Sequence, residues 1–566
     1  MLSCLLRGDL DGAEALIEQM IEADEDNPVA LALMADVCQM RGELQDALGL
    51  MALAIERAPT EKTYLQSFIA CAKRMSFSFS QYNDLMFRTV AACVTRDDLN
   101  CTPLWQLWLA LLGVHPDLSA LLSDKSFDDK KMAALAAHPF FVGGLNNLIV
   151  VDEAFEKRLV SLRATLRREL NAEKPLWARE DFLRVAAGLS RYACVTEYIF
   201  DITGEELRWM DETCQRFAQN PAAARAEEVA VFACYEMLGT LPFAAALLPV
   251  CNAEMALKSV ADLQISEPER LAKIAQGLTA VTPIEAGISE QVQGMYETFP
   301  YPRWTYLPFA VTPGKHERKL PEDARILVAG CGTGYEAALA GLMMPKSDIL
   351  AIDLSRLSLS YAVARAQDMD LQNIKFGHGD ILRMADRPER YDYILSAGVL
   401  HHMADPMAGW RVLRDILNSS GLMRIALYSE YGRQDIVAAR QVIAEKGFQP
   451  TREGMKDFRR QLDNLLPAEV CQSLRRRGDF YQLSMLCDLL FHVQEHRFTL
   501  PQLAESLSAL GLEFLGFDLP VGALAAFRDM HGPSADDKDL QKWDALEKAR
   551  PETFRAMYQF WCRAGK

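Results

Sequence analysis

Arg325-Ile-Leu-Val-Ala-Gly330-Cys331-Gly332-Thr-Gly334-Tyr-Glu336 reads as a buried strand that runs straight into a glycine-rich turn and a helix. Ile326, Leu327 and Val328 form a short apolar run suited to a parallel strand covered on both faces. The glycines let the chain turn tightly and leave no side chain between the loop and a ligand. A helix starting near Tyr335 points its positive N-terminal end at the same place, so a nucleotide-like cofactor is expected there.

Outward from this turn the chain alternates between strand and helix. Strands are expected at Ile326–Ala329, Ile349–Asp353, Ile374–Gly377, Tyr391–Ser396 and Leu422–Tyr428. Helices are expected at Tyr335–Met343, Leu357–Met369 and Met407–Leu417. That rhythm predicts an α/β fold with a doubly wound, mostly parallel sheet. Leu512–Phe517 and the segment from Met557 to Cys562 read as closing strands, the last antiparallel, and residues 432–500 as a helical insertion placed to cover the mouth of the site.

The glycine spacing departs from the dinucleotide fingerprint, whose third glycine would stand where Tyr335 is. Asp353 ends the next strand about 20 residues on, where a carboxylate can accept both ribose hydroxyls. Gly379-Asp380-Ile381 ends the third strand beside an adenine amino group, and Ser396-Ala-Gly-Val-Leu-His401-His402 ends the fourth, near a transferable group. These four strand ends together resemble the class I S-adenosylmethionine-dependent methyltransferase family over about residues 320–430 and the closing strands. The resemblance implies S-adenosylmethionine as cofactor. Gly330, Cys331, Gly332 and Gly334 would border its methionine moiety, Asp353 with Leu354 the ribose, Asp380 with Ile381 the adenine, and Ser396 the transferable group. Many members carry an acid two residues before the first glycine. Val328 stands there, so Glu336 is nominated to meet the methionine amino group.

The wider pattern is more specific. Met295-Tyr296-Glu-Thr-Phe-Pro300-Tyr301-Pro302-Arg303-Trp304, Leu427-Tyr428-Ser429-Glu430, Asp479-Phe-Tyr481 and Asp488 to Phe498 resemble bacterial tetratricopeptide-containing methyltransferases, among them rickettsial lysine methyltransferases acting on an outer-membrane protein. A protein side chain, lysine favoured, is therefore the expected acceptor. A small molecule or glycan precursor is the alternative, and a non-catalytic scaffold that binds cofactor is a third. Tyr296, Tyr301 and Trp304 are nominated as aromatic walls around an alkyl-ammonium, or else as a seal on the first helix of the sheet. Tyr428, Asp488 and His492, with Glu430, are nominated for polar contacts or a proton path. Of His401 and His402, one is expected to face the cofactor pocket and the other to hold the loop, with either available as general base.

His492-Val-Gln-Glu495-His496 matches the inverted zinc-protease motif, in which two histidines four apart share a helix face and Glu547 would be a third ligand. A pocket-facing polar cluster and a merely structural polar face are the competing readings, and no metal is expected.

Near the start, Gly8, Leu10 and Ala13 recur as Gly42, Leu44 and Ala47, 34 positions on in each case, the period of tetratricopeptide repeats. The array is expected to open on the second helix of a unit, and to dock a partner or simply cap its neighbour. From Tyr64 to Pro283 the chain stays helical, with aromatics such as Trp105 and Trp108 read as core. Pro300, Pro302, Pro308, Pro313 and Pro321 then break helical periodicity. The expected domains are 1–75 repeats, 76–285 helical middle, 286–431 core, 432–500 insertion and substrate cover, and 501–566 last strands.

Among 566 residues, 60 Lys and Arg against 77 Asp and Glu give a net charge of -17, which speaks against a nucleic-acid track as the main surface. Arg475-Arg476-Arg477 reads as a solvated helix face. The 13 cysteines are scattered without metal-like spacing, no leader is evident and no apolar run is long enough to span a bilayer. A cytoplasmic protein is expected, and a homodimer is allowed.

Overall fold

The computed structural model describes residues 9–123, 125–304, 306–307, 316–519 and 522–565. Gly8, Pro308 and Pro313 lie outside the described residues. Two compact units form, Met1–Pro268 with Arg475–Gln482, and Glu269–Leu474 with Leu483–Lys566. Among the described residues no helix is long and apolar enough to cross a membrane.

The first unit is helical and opens with Leu10–Ala23, Pro28–Arg41, Leu44–Arg57 and Lys62–Ala72. Ala13 and Ala47, the small residues of the repeat, are fully buried where neighbouring helices meet. Asn27 caps the second helix by accepting from Val29 N and Ala30 N, with Pro28 at the first helical position, and Gly42 closes that helix at φ +86°. Further along, Trp108 is fully buried and donates through Nε1 to Phe140 O at 3.1 Å, so its role is core packing as expected. Arg475 pairs with Glu153 at 2.7 Å within this unit, which takes it off the purely solvated face expected of it.

The second unit is built on a seven-stranded sheet of order β3-β2-β1-β4-β5-β7-β6. Its strands are β1 Arg325–Ala329, β2 Asp348–Asp353, β3 Ile374–His378, β4 Tyr391–Ala397, β5 Leu417–Leu427, β6 Leu512–Phe517 and β7 Tyr558–Ala564. β1 to β5 pair in parallel, and β7 runs antiparallel to both β5 and β6. This is the class I methyltransferase sheet, with the strand order reversing between β1 and β4. Helices pack both faces because alternate residues of β1 feed two separate cores, Leu327 and Ala329 on one side and Ile326 and Val328 on the other. A ligand belongs at the carboxyl ends of β1 and β4, where the order reverses.

The helix Tyr335–Met343 begins at Gly334, whose φ is +87°. A Cβ there would stand 2.5 Å from the Cβ of Ala362 on the helix Arg356–Asp368, so left-handed backbone and close helix contact both require glycine. Gly334→Ala is expected to cost about 2–4 kcal/mol from left-handed strain plus overpacking. Urea unfolding checks it, and a loss under about 0.5 kcal/mol would remove the packing argument.

Candidate functional site

The glycine turn is tied to β2 from both directions. Gly330 N and Cys331 N donate to Ile352 O, each at 2.9 Å. Asp353 Oδ2 accepts from Gly332 N at 2.7 Å, and its Oδ1 from Ser355 N at 2.9 Å. Desolvation at this strand end pushes the Asp353 carboxyl up to about 6, against the pull of those backbone donors. A Cβ on Gly332 would meet Tyr301 O at 2.7 Å, so the segment from Tyr301 to Trp304 lies directly on the turn.

That segment is held by more than contact. Trp304 Nε1 donates to Thr333 O at 3.0 Å, Thr333 Oγ1 donates to Pro302 O, and the Tyr361 hydroxyl donates to Trp304 O. The Trp304 ring is 8% exposed and sits edge-on to Tyr335 and Tyr361. Of the two roles considered for Trp304, sealing the turn is the one that its packing supports.

The preceding helix Ile288–Thr298 is fixed on the same side of the sheet. Glu297 accepts from Arg356 N at 2.6 Å and Leu357 N at 3.2 Å, supplying negative charge to the start of the helix Arg356–Asp368. Ser355 Oγ donates to Tyr296 O at 3.1 Å. Tyr296 is thereby anchored beside the β2 end.

Five residues nominated for the cofactor are engaged by the protein itself. Glu336 pairs with Arg424 of β5 at 3.1 Å, so its carboxylate is drawn along the sheet instead of being free for a methionine amino group. Asp380 is 2% exposed, and its oxygens accept from Leu382 N and Glu285 N at 2.9 and 3.1 Å. Its first task is therefore to tie residues 280–285 across the end of β3. Ile381 belongs to the sheet core, and Leu354 O accepts from His378 Nε2 at 2.9 Å. Cys331 is buried in the turn, where desolvation raises its thiol well above the usual range.

What remains at the strand ends fits a nucleoside cofactor with an amino-acid tail. Gly330, Gly332 and Gly334 all have positive φ, and Asp353 ends β2 beside them. The buried Ser396 Oγ has no hydrogen-bond partner among the described residues, and a Cβ on Gly398 would meet nothing within 4 Å.

Beyond the β4 and β5 ends lies a polar aromatic cluster drawn from four parts of the chain. The Tyr296 hydroxyl donates to Asp488 Oδ1 at 2.6 Å, and its ring meets His492 at 5.7 Å. His492 stacks on His402 with centroids 3.6 Å apart, and His402 packs edge-on to His401 at 4.3 Å. His401 stacks on Tyr428 at 3.7 Å. Tyr296, Asp488, His492, His402, His401 and Tyr428, all nominated from sequence, thus meet in one place.

Burial lowers the basicity of all three imidazoles: His401 falls well below its usual range, His402 drops to about 4, and His492 shifts the same way. All three are neutral near pH 7. The Tyr296 phenol is held well above its usual value by burial and then by the charge of Asp488. His402 Nδ1 donates to Gln494 O at 2.8 Å, leaving Nε2 as an acceptor. His492 Nδ1 accepts from Gln494 N at 3.1 Å, leaving the hydrogen on a buried Nε2 that has no partner among the described residues.

His402, Asp488 and His492 each bring an atom within 4.8 Å of the others, which invites a metal reading. Stacked rings, however, carry their lone pairs side by side and do not converge on one ion. The Gln494 contact also puts hydrogen, not a lone pair, on His492 Nε2. The inverted zinc motif does not form either. The helix Leu483–Leu490 ends before His492, so residues 492–496 are non-helical and the two motif histidines share no helix face. Glu495 pairs with Arg433 at 2.8 Å, and Glu547 accepts from the Ser429 and Tyr558 hydroxyls.

Some participants carried no local signal. Arg433 and Glu297 are ordinary polar residues whose partners lie far away in sequence, so no spacing rule could single them out.

Neutral buried histidines make stability depend on pH. In the unfolded chain each takes a proton near pH 6.5, whereas in the fold His402 does so only near 4. The stabilisation is complete above pH 6.5 and lost as pH falls toward 4. His402 alone is expected to remove about 3 kcal/mol between pH 7 and 4. Urea midpoints across that range test this, and His402→Gln should flatten the slope. A wild-type midpoint that stays level would mean that the imidazoles are not desolvated.

Residues 320–474 match the family described as a methyltransferase domain, and residues 5–70 match a tetratricopeptide repeat. An uncharacterized protein of Synechococcus sp. is 30% identical over 258 residues, covering 41% of this chain and 60% of that protein. The malonyl-[acyl-carrier protein] O-methyltransferase of Bacillus anthracis is 31% identical over 110 residues, covering 19% of this chain and 38% of that enzyme. The structure of PKMT2 from Rickettsia typhi in complex with AdoHcy aligns at 18% identity and a TM-score of 0.33, covering 43% of this chain and 49% of that one. The chain thus spans less than two thirds of the length of each of these relatives. It joins a tetratricopeptide repeat to a class I S-adenosylmethionine-dependent methyltransferase domain.

Proposed function

We propose that this chain transfers the methyl group of S-adenosylmethionine to a protein side chain, with lysine as the favoured acceptor. The observation that carries the reading is the cluster at the β4 and β5 ends, where three neutral imidazoles and Tyr428 continue from the Tyr296–Asp488 pair. Bound in the glycine turn, S-adenosylmethionine supplies a methyl carbon activated by its sulfonium. The chain then has to align a nucleophile and dispose of its proton.

The residues present suit that task. Gly330, Gly332 and Gly334 give the turn its left-handed course, while Asp353 would accept ribose hydroxyls and Ser396 Oγ offers a free polar atom. A lysine amine, with a reference pKa near 10.4, is neutral in only about one molecule in a thousand at pH 7.4. Desolvation by the aromatic walls of Tyr296 and Tyr428 favours the free amine. Asp488 can orient an amine proton, and the unprotonated His402 Nε2 can accept one. Scattered cysteines fit the reducing cytoplasm.

A small-molecule acceptor is the second reading. It is favoured by the O-methyltransferase relatives, which match only about a fifth of the chain. Labelled S-adenosylmethionine incubated with native cell extract separates the two. Label is expected in macromolecules and, after acid hydrolysis, in methyl-lysine. Label confined to small molecules would sink the protein-acceptor reading.

A further inference from the structure

Arg433 and Glu495 retain only 3% and 1% side-chain exposure. They form a two-point ion pair, Nε to Oε1 at 3.2 Å and Nη2 to Oε2 at 2.8 Å. Burying such a pair is a poor route to stability, because apolar residues of equal volume often serve as well or better. Its location suggests another use. The Arg433 guanidinium lies 3.5 Å over the Tyr428 ring, and His401 stacks on the same ring at 3.7 Å. At those distances the two groups must take opposite faces, so Tyr428 is clamped between them.

The clamp extends through backbone. His496 N donates to His401 O at 2.7 Å, Phe498 N to Tyr428 O and Glu430 N to Phe498 O, both at 2.8 Å. The segment bearing Glu495 is therefore laced to the turn bearing Tyr428. Arg440 donates to His492 O at 2.7 Å, and Arg497 reaches Glu495 at 3.5 Å and Glu430 at 3.1 Å.

We propose that Arg433 and Glu495 are the positioning residues of the acceptor pocket, holding Tyr428 and His401 in a fixed stack so that the neighbouring His402, His492 and Tyr296–Asp488 groups present their polar edges to one acceptor. The role rests on the methyl-transfer reading. The groups facing the stack are Arg433, Arg440, Arg497, Glu430, Glu495, Asp488, Tyr296, His402, His492 and His496. Among them the Arg433 cation helps to keep His401, His402 and His492 unprotonated.

The test compares the full chain with the double variant Arg433→Met/Glu495→Met and the single variant Arg433→Lys, using histidine labelled at Cε1. In the wild type, stacking should shift the His401 ring resonance upfield, and both variants should release it. S-adenosylmethionine affinity should stay within about twofold, while kcat falls about tenfold to a hundredfold. The double variant removes a cation and an anion together, so the acid limb of the kcat profile should stay in place while kcat falls. Arg433→Lys keeps the charge but cannot lie flat, so its limb should stay in place while kcat drops.

An unmoved His401 resonance, or a released resonance with unchanged kcat, overturns the positioning role. A wild-type chain that methylates nothing, with the resonance still released in the variants, overturns the methyl-transfer reading and retains the clamp.

Discussion

Asp353→Ala is expected to weaken S-adenosylmethionine binding by about two orders of magnitude, the scale of losing two hydrogen bonds to a charged acceptor. Asp353 also holds Gly332 N and Ser355 N, so its loss removes the ribose contacts and loosens the turn that receives the methionine end. Asp353→Asn separates the parts, keeping the volume while removing the charge and one acceptor. With its carboxyl raised to about 6, wild-type affinity should climb between pH 5 and 7, because the ionised form is the one that accepts both hydroxyls. The stability linkage has the opposite sign. A carboxyl raised by folding contributes stability at low pH and loses it as pH rises through 6, so the affinity gain is not a by-product of a firmer fold. Calorimetric titration decides it. Affinity of Asp353→Ala within about threefold of wild type would take ribose recognition away from this residue.

Asp488→Ala is expected to lower kcat by about a hundredfold to a thousandfold with cofactor affinity unchanged within about twofold. The carboxylate is buried against the Tyr296 hydroxyl at 2.6 Å, and the ring of Tyr296 leads on to His492. Removing either partner exposes the other to an unmet polar demand in a desolvated place. Tyr296→Phe should therefore cost a comparable factor, and the double variant little more than the worse single one. Effects that multiply fully in the double variant would show that the two residues act separately. A parallel fall in cofactor affinity would move the pair from the acceptor side to the cofactor side.

The strands and the glycine turn were legible because each is written in neighbouring residues. An apolar run, glycines at positions needing positive φ and an acid ending the next strand are local facts, and β1, β2 and β6 lie close to where periodicity puts them. The His401-His402 pair could be placed for the same reason, at the end of a recognisable strand. Glu336 illustrates the limit. Its position beside the turn is local, but its partner Arg424 is supplied by β5, and the charge of that distant strand decides where the carboxylate points. Asp380 is similar, since its Oδ2 accepts from Glu285 N and its own backbone N donates to Thr282 Oγ1, both from a segment far away in sequence.

The H-x-x-E-H stretch makes the contrast sharper. Its spacing carries a metal-binding meaning only on a helix, and the helix before it stops at Leu490. The extended course beyond is imposed by pairing with Tyr428 and Glu430 and by the buried bond from Arg433 to Glu495.

By itself the sequence determined the parallel sheet, its antiparallel closing strand, the cofactor turn and the identity of the polar residues around it. Those follow from period, backbone conformation and side-chain chemistry, which act over a few residues. Tertiary structure alone decided which of those polar groups meet in one cluster, which are consumed by backbone or ion pairs, and which histidines stay neutral. Hydrogen bonds, stacking and desolvation depend on distance in space, and segments as remote as Tyr296, His402, Arg433 and Asp488 become neighbours only when the sheet folds.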